Sequence, residues 1–237
     1  MINIVPLSET EIYSAGEFLI KDPYKNIQMS SLLHANFQGS LIIYDNGVIR
    51  GILAVDEKNG EQWFYGNRKA FKAIYPELNL ENYPIYMDNK NIDIADPKSQ
   101  MEHKQVLVMR LKIRDYAQNV GDADIINPDE IENYKSTFKI KPDPERTYVI
   151  DCNGTVTAGA NILSCSIKAC AVGCIVYIKG HENDISRIIS SIVYKYRTFT
   201  ENIVAYVPLA NELKDEFKKM GFAYNGELTK LYKSVHH

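Results

Sequence analysis

Cysteine is scarce in this sequence, four residues in 237, and all four fall in one short region: Cys152, Cys165, Cys170 and Cys174. None forms a C-x-x-C pair, which argues against both a zinc site and a secreted disulfide framework, so they are expected to be reduced core thiols. Long apolar runs are missing as well, and no stretch is suited to span a bilayer. Met1-Ile2-Asn3-Ile4-Val5-Pro6 reaches Ser8, Glu9 and Glu11 before any apolar segment develops, so no secretory leader is read there. A cytoplasmic protein without membrane association is expected. Charge of one sign is also lacking: 27 basic and 30 acidic residues give a formal net charge of -3. Such a surface has no general attraction for phosphodiester backbones, and nucleic acid is not an expected partner. His34 and His103 stand apart from other ligand types, so no metal is expected. The sequence also has no Gly-x-x-x-x-Gly-Lys-Ser/Thr loop, no Gly-x-Ser-x-Gly elbow and no His-Glu-x-x-His pair.

The chain does carry an ordinary globular composition, 45% hydrophobic and 24% charged, over a length that suits one composite domain or two compact halves. Ser8-Glu9-Thr10-Glu11 reads as a capping box that opens a helix running to about Ile20, stopped by Asp22-Pro23. A short helix then leads to two β-rich runs around Asn46-Gly47, a strong hairpin signal because that pair tolerates positive φ. Further strands are expected around Trp63, Tyr86 and Leu107, with a helix at 68–75. The polar stretch 88–99 is expected outside the core. The pattern then restarts: Asn127-Pro128-Asp129-Glu130 begins a helix, and a second hairpin turns at Asn153-Gly154. Each half thus offers a helix, a hairpin around Asn-Gly and a glycine in the return strand, which hints at an internal duplication with halves at 1–120 and 121–237.

From Ala171 onward the order sharpens. A strand through Tyr177 meets the polar turn Gly180-His181-Glu182-Asn183-Asp184. Ile185, Ile188, Ile189, Ile192, Val193 and Tyr196 follow as an apolar stripe of helical period. A strand at 203–207 is closed by Pro208. A helix with Leu213, Phe217 and Met220 inward stops at Gly221, and a last strand ends the chain.

That order, with the ending Lys219-Met220-Gly221-Phe222-Ala223-Tyr224, resembles the closing part of the GNAT N-acetyltransferase superfamily, and the whole chain resembles a tandem GNAT protein with a divergent first half. The resemblance implies an α/β fold with a mixed sheet, a GNAT-like acyl-CoA N-acyltransferase fold in two halves. It implies acetyl-CoA or another acyl-CoA as co-substrate and an amine of a small molecule or peptide as acceptor, and it allows a homodimer. The alternative is a noncatalytic GNAT-fold module that binds a ligand or a protein and no longer binds coenzyme A.

The chemistry of the family needs few groups. Free amides at a helix N-terminus hold the pyrophosphate, strand amides hold the pantetheine arm and polarise the thioester carbonyl, and a base and an acid handle the protons. The resemblance places the cofactor-binding residues at Val176, Ile178, His181, Glu182, Asn183, Asp184, Ile185 and Ser186. Against the family pattern Val-x-Pro-x-x-Arg/Gln-x-x-Gly-x-Gly/Ala only Val176 and Ser186 fit. Ile178 replaces the proline, His181 the arginine and Asp184 the first glycine. A carboxylate facing one phosphate charge at roughly 5 Å and an effective dielectric of about 20 costs about 3 kcal/mol, or about two orders of magnitude in affinity. Helix capping is the plainer role for Asn183 or Asp184. Phe217 stands where the family commonly has the tyrosine that protonates the leaving thiolate, with Tyr224, Tyr206 or water as substitutes. No residue is identified as the base: Glu182, His181 and Asp151 are chemically able, and a solvated turn position is the plainer reading of each.

Overall fold

Alternation and turn chemistry set the first part of the chain. β1 (Ile2–Pro6), α1 (Ile12–Leu19) and α2 (Ile27–Ala35) are followed by β2 (Leu41–Asp45), β3 (Val48–Asp56) and β4 (Glu61–Gly66), then α3 (Arg68–Ile74), β5 (Ile85–Met87), α4 (Ile92–Ala95) and β6 (Glu102–Lys112). The computed structural model describes residues 1–98, 100–116, 121–209 and 211–233, with the side chains of 211 and 212 left aside. The capping box is formed, with the Ser8 amide bonded to Glu11. Asn46 and Gly47 both take positive φ at the β2–β3 turn, as a tight hairpin requires. The stretch 88–99 is not excluded from the core as its polarity suggested. Asn91 and Ala95 are buried, because the short helix α4 turns Ala95 onto the cluster built from Phe64, Phe71, Ile85 and Met87.

The second part repeats the plan: β7 (Asp124–Ile125), α5 (Ile131–Phe138), β8 (Thr147–Cys152), β9 (Thr155–Cys165), β10 (Cys170–Tyr177), α6 (Glu182–Tyr196), β11 (Asn202–Pro208), α7 (Asn211–Lys219) and β12 (Ala223–Tyr232). The chain forms two compact units. The first holds Met1–Val106 and Glu227–His237, and the second holds Leu107–Gly226. The chain passes from one unit to the other within β6 and again within β12. In the first unit the strands run β1-β2-β3-β4-β5-β12, with β4 and β5 parallel. In the second they run β7-β8-β9-β10-β11-β6, with β10 and β11 parallel. Residues 117–120, beside the division expected at 120/121, lie outside the described residues. Among the described residues no helix is long and apolar enough to cross a membrane.

The second unit's core explains its strand geometry. Ile185, Ile188, Ile189, Ile192 and Val193 of α6, with Leu213 and Phe217 of α7, bury one face of the sheet, the 3.6-residue stripe doing what its spacing predicts. On the other face Tyr134 of α5 packs with Val149 and Val156, and Val176 leans on them. Tyr134 packs closely on Gly159 of β9: a Cβ there would stand 2.5 Å from the ring. The Gly159→Ala variant is expected to lose about 1–3 kcal/mol through overpacking, more than the ~0.4–1 kcal/mol that losing a glycine's freedom returns. A urea midpoint at or above the parent's would show that Tyr134 yields freely.

Candidate functional site

Cys170, Val172 and Ile175 all join the core cluster that contains α6. In a regular strand, residues 172 and 175 point to opposite faces, since the side-chain period is two. An extra residue resolves the conflict: the β9–β10 register shifts between Gly173 and Val176, and Cys174 takes φ 50°. A bulge of this kind leaves one residue unpaired and bends the strand. The left-handed conformation costs about 1–3 kcal/mol, against about 1.5–3 kcal/mol for burying each of Val172 and Ile175, so packing wins. Cys174 is left exposed.

The parallel partner parts from β10 at the same place. Cys170, Ala171 and Val172 register with Ile203, Val204 and Ala205, and the ladder does not continue, although β10 runs on to Tyr177 and β11 to Pro208. Beside the bulge lies the Tyr134 hydroxyl, buried without a hydrogen-bond partner among the described residues and electrostatically in touch with Cys174. Burial, reinforced by Cys174, pushes the Tyr134 hydroxyl well above the usual tyrosine range, so it stays a donor.

Beyond β10 the Ile178 amide bonds to the Thr157 carbonyl, and Gly180 turns the chain at φ 93° into α6. His181 takes the N-cap position without capping through its side chain. The Asp184 amide reaches back to the His181 carbonyl at 3.0 Å, whereas Glu182 and Asn183, in the first turn, have no carbonyl one turn behind them. The nearest anion is internal: the Glu182 carboxylate accepts from the Gly180 amide at 3.0 Å. That bond, with one from its own amide, holds the Glu182 carboxyl below the usual range. Ile185 is buried in the core, and Ser186 donates to the Asn183 carbonyl at 2.7 Å.

Asp184 is turned away from the helix mouth. Its side chain is 10% exposed and accepts from Thr157 Oγ1 at 2.6 Å and from Arg187 Nη1 at 2.7 Å, with His181 Nδ1 at 3.1 Å. Arg187 also binds Asp122. A carboxylate so neutralised is not the phosphate-facing repulsion that its place in the sequence suggests. Burial pushes the Asp184 carboxyl up, but the hydrogen bonds from Thr157, Arg187 and His181 outweigh it and hold the group below the usual range.

Of the other residues weighed for proton transfer, Asp151 holds the Asn153-Gly154 turn by accepting from the Gly154 amide at 2.8 Å. Phe217 is wholly buried, edge-on to Phe222. Tyr224 is exposed and Tyr206 is buried in β11, one residue beyond the last paired position. Sequence reasoning missed Tyr134, the bulge and Arg187. The spacing of Cys170, Val172 and Ile175 carries a signal for the bulge, and Asp184-x-x-Arg187 is an i,i+3 pair.

The Asp184→Asn variant is expected to lose about 1–3 kcal/mol at neutral pH, the cost of unbalancing a buried charged network. A depressed carboxyl stabilises the fold above its unfolded pKa, about 3.9, and that contribution is lost as pH falls through the lower folded value. The gap in apparent Tm between parent and variant should therefore be widest at neutral pH and close in acid. A gap that widens toward acid contradicts this account.

Sequence comparison with family models and with curated proteins gives no match. Many solved structures match in fold. A GNAT-family acetyltransferase from Colwellia psychrerythraea is 8% identical with a TM-score of 0.57, covering 99% of this chain and 100% of its own. A GCN5-related N-acetyltransferase from Sphaerobacter thermophilus is 9% identical with a TM-score of 0.56, covering 97% and 94%. A tandem GNAT protein from the clavulanic acid biosynthesis pathway is 11% identical with a TM-score of 0.53, covering 98% and 97%. With its mixed α/β architecture and the parted strand pair ahead of a helix, this chain has the GNAT fold.

Proposed function

We propose that the second unit is an N-acyltransferase that moves an acetyl or other acyl group from coenzyme A to an amine of a small molecule or peptide, in a cytoplasmic setting where acyl-CoA is supplied. The observation that carries this reading is the separation of β10 from β11 after three paired residues, with the bulge at its mouth and the α6 turn beyond it. A pantetheine arm fits such a gap as an added strand, with Val176 and Ile178 along its wall. The pyrophosphate would lie on the amides of Gly180, Glu182 and Asn183, where the helix dipole favours an anion. The remaining turn residues serve the site indirectly. Asp184 ties the turn to Thr157 and Arg187, Ile185 anchors it in the core, Ser186 braces the first turn, and half-exposed His181 stands at its rim.

In the transfer itself the amine nitrogen forms a bond to the thioester carbonyl carbon as the bond to sulfur breaks. The ammonium proton leaves to water, and the thiolate gains one in return. Tyr134 donates a hydrogen bond to the negative charge that develops beside Cys174, taking over from the tyrosine that Phe217 replaces.

The halves 1–120 and 121–237 are read as two copies, the first divergent, because each runs strand, helix, three strands, helix, strand, helix, strand, with one extra helix before β2 in the first. Among the first half's described residues the corresponding helix start is already capped. The Asn67 side chain accepts from the Ala70 amide at 2.8 Å and so caps α3 itself, a helix of seven residues.

One observation favours the noncatalytic alternative: the Glu182 carboxylate already occupies the Gly180 amide. If it is a displaceable occupant, removing its charge must help coenzyme A. Acetyl-CoA at a hundredfold excess over its dissociation constant is expected to stabilise the protein by about 2.7 kcal/mol, and the Glu182→Gln variant should bind several-fold more tightly by calorimetric titration. Absence of any thermal shift at millimolar acetyl-CoA, in parent and variant alike, rejects the transferase.

Tyr134→Phe separates catalysis from packing. Deleting a buried hydroxyl that lacks a partner leaves stability unchanged or raised, while kcat for acyl transfer is expected to drop about tenfold or more. An unchanged kcat in a panel of amines that the parent acylates removes Tyr134 from the mechanism.

A further inference from the structure

Two of the four cysteines are direct neighbours across a hairpin. Cys165 ends β9 and Cys170 begins β10, and the antiparallel register sets them opposite one another. The Ser166 amide donates to the Ala169 carbonyl at 2.9 Å, so 166 and 169 form the hydrogen-bonded pair and 165 and 170, one step on, the non-hydrogen-bonded pair. In a pair of that kind the Cα atoms stand about 4.5 Å apart with both side chains on one face, inside the roughly 4.4–6.8 Å that a disulfide spans. Both thiols meet the same core cluster, Cys170 wholly buried within it and Cys165 half-buried at its edge.

We propose that Cys165 and Cys170 are a dithiol site that exchanges with low-molecular-weight disulfides and closes reversibly into a cross-strand disulfide. This inference does not depend on the acyltransferase reading. The Cys165 thiolate attacks one sulfur of a disulfide RSSR and expels one RS⁻, which takes up a proton. Cys170 then gives up its proton and attacks the Cys165 sulfur of the mixed disulfide, releasing the second RSH. Two protein thiols are oxidised and one RSSR is reduced to two RSH.

The environment divides the roles. The contact with Cys170 draws the Cys165 thiol below the ordinary range, which favours the reactive thiolate at the half-exposed position. The same contact, together with burial, pushes Cys170 far up, as suits a resolving thiol that reacts only with its neighbour. Tyr148 and Tyr196 flank the pair. Burial pushes both hydroxyls up, that of Tyr196 to about 12, so they bring no charge to oppose a thiolate.

The test uses the full chain carrying Cys152→Ser and Cys174→Ser, which leaves only this pair. The folded protein is incubated with hydroxyethyl disulfide, alkylated, and digested with trypsin, which cuts after Lys168 between the two cysteines. The expected result is a linked peptide pair lighter by two hydrogens than the sum of its reduced parts, returned to two alkylated peptides by dithiothreitol. Full alkylation of both peptides, a mixed disulfide that persists on Cys165, or linkage found only in covalent dimers overturns the proposal. Should the double variant not fold, the parent chain is treated in the same way and fragmentation spectra place the link. A bond joining any pair other than 165 and 170 counts against it.

Discussion

One strand has to satisfy two faces of a sheet and leave its parallel neighbour within eight residues. β10 buries Cys170, Val172 and Ile175 under α6 and gives Val176 to the face under α5. No unbroken pleat does both, so the chain inserts Cys174 in a left-handed conformation. The bulge re-aims the strand beyond it, and the ladder with β11 stops. The opening on which a ligand could lie is thus a by-product of core packing rather than a loop added to a finished scaffold. This gives it the rigidity of the core, because moving the bulge would take Val172 or Ile175 out of it.

Charge in the turn ahead of α6 is arranged by the same economy. The buried carboxylate of Asp184 is met by a hydroxyl and a guanidinium, and the guanidinium is shared with Asp122 on the surface. A buried acid without such partners would have to neutralise itself by taking up a proton. With them it fixes the turn and leaves the mouth of the helix to Glu182, whose carboxylate accepts from the Gly180 amide at the surface. The two acids stand two positions apart and have opposite fates. One is structural and inward, and the other is a surface anion at a positive helix end.

Much of this was legible in the residues. The α6 stripe, the two Asn-Gly hairpins, the Gly221 stop and the inward Phe217 were readable because each is a local matter of period or turn chemistry. The comparison with the family pattern pointed to the turn that opens α6, and the strand, turn and helix there were readable because helix-opening polar residues after an apolar strand are also local. The direction of Asp184 was not legible, because it depends on Thr157, 27 positions away across the hairpin. Tyr134 was hidden for a related reason. Its hydroxyl comes to lie beside a bulge on another strand, and its own helix shows nothing but an aromatic at an inward position. The short strands β1 and β7 escaped notice because edge pairing is decided by the neighbour, Leu41–Asp45 for one and Tyr148–Val149 for the other.

The two compact units trade strands along the sequence. The end of β6 belongs to the second unit although it precedes the midpoint of the chain, and most of β12 belongs to the first although it comes last. A polypeptide beginning at residue 121 would therefore lack Leu107–Lys112 beside β11 and would carry Thr229–Leu231 away from their partners Ile85–Met87. Both pieces would present open strand edges, the usual starting point for misassembly. A cut at 120/121 would thus divide both compact units instead of separating one from the other.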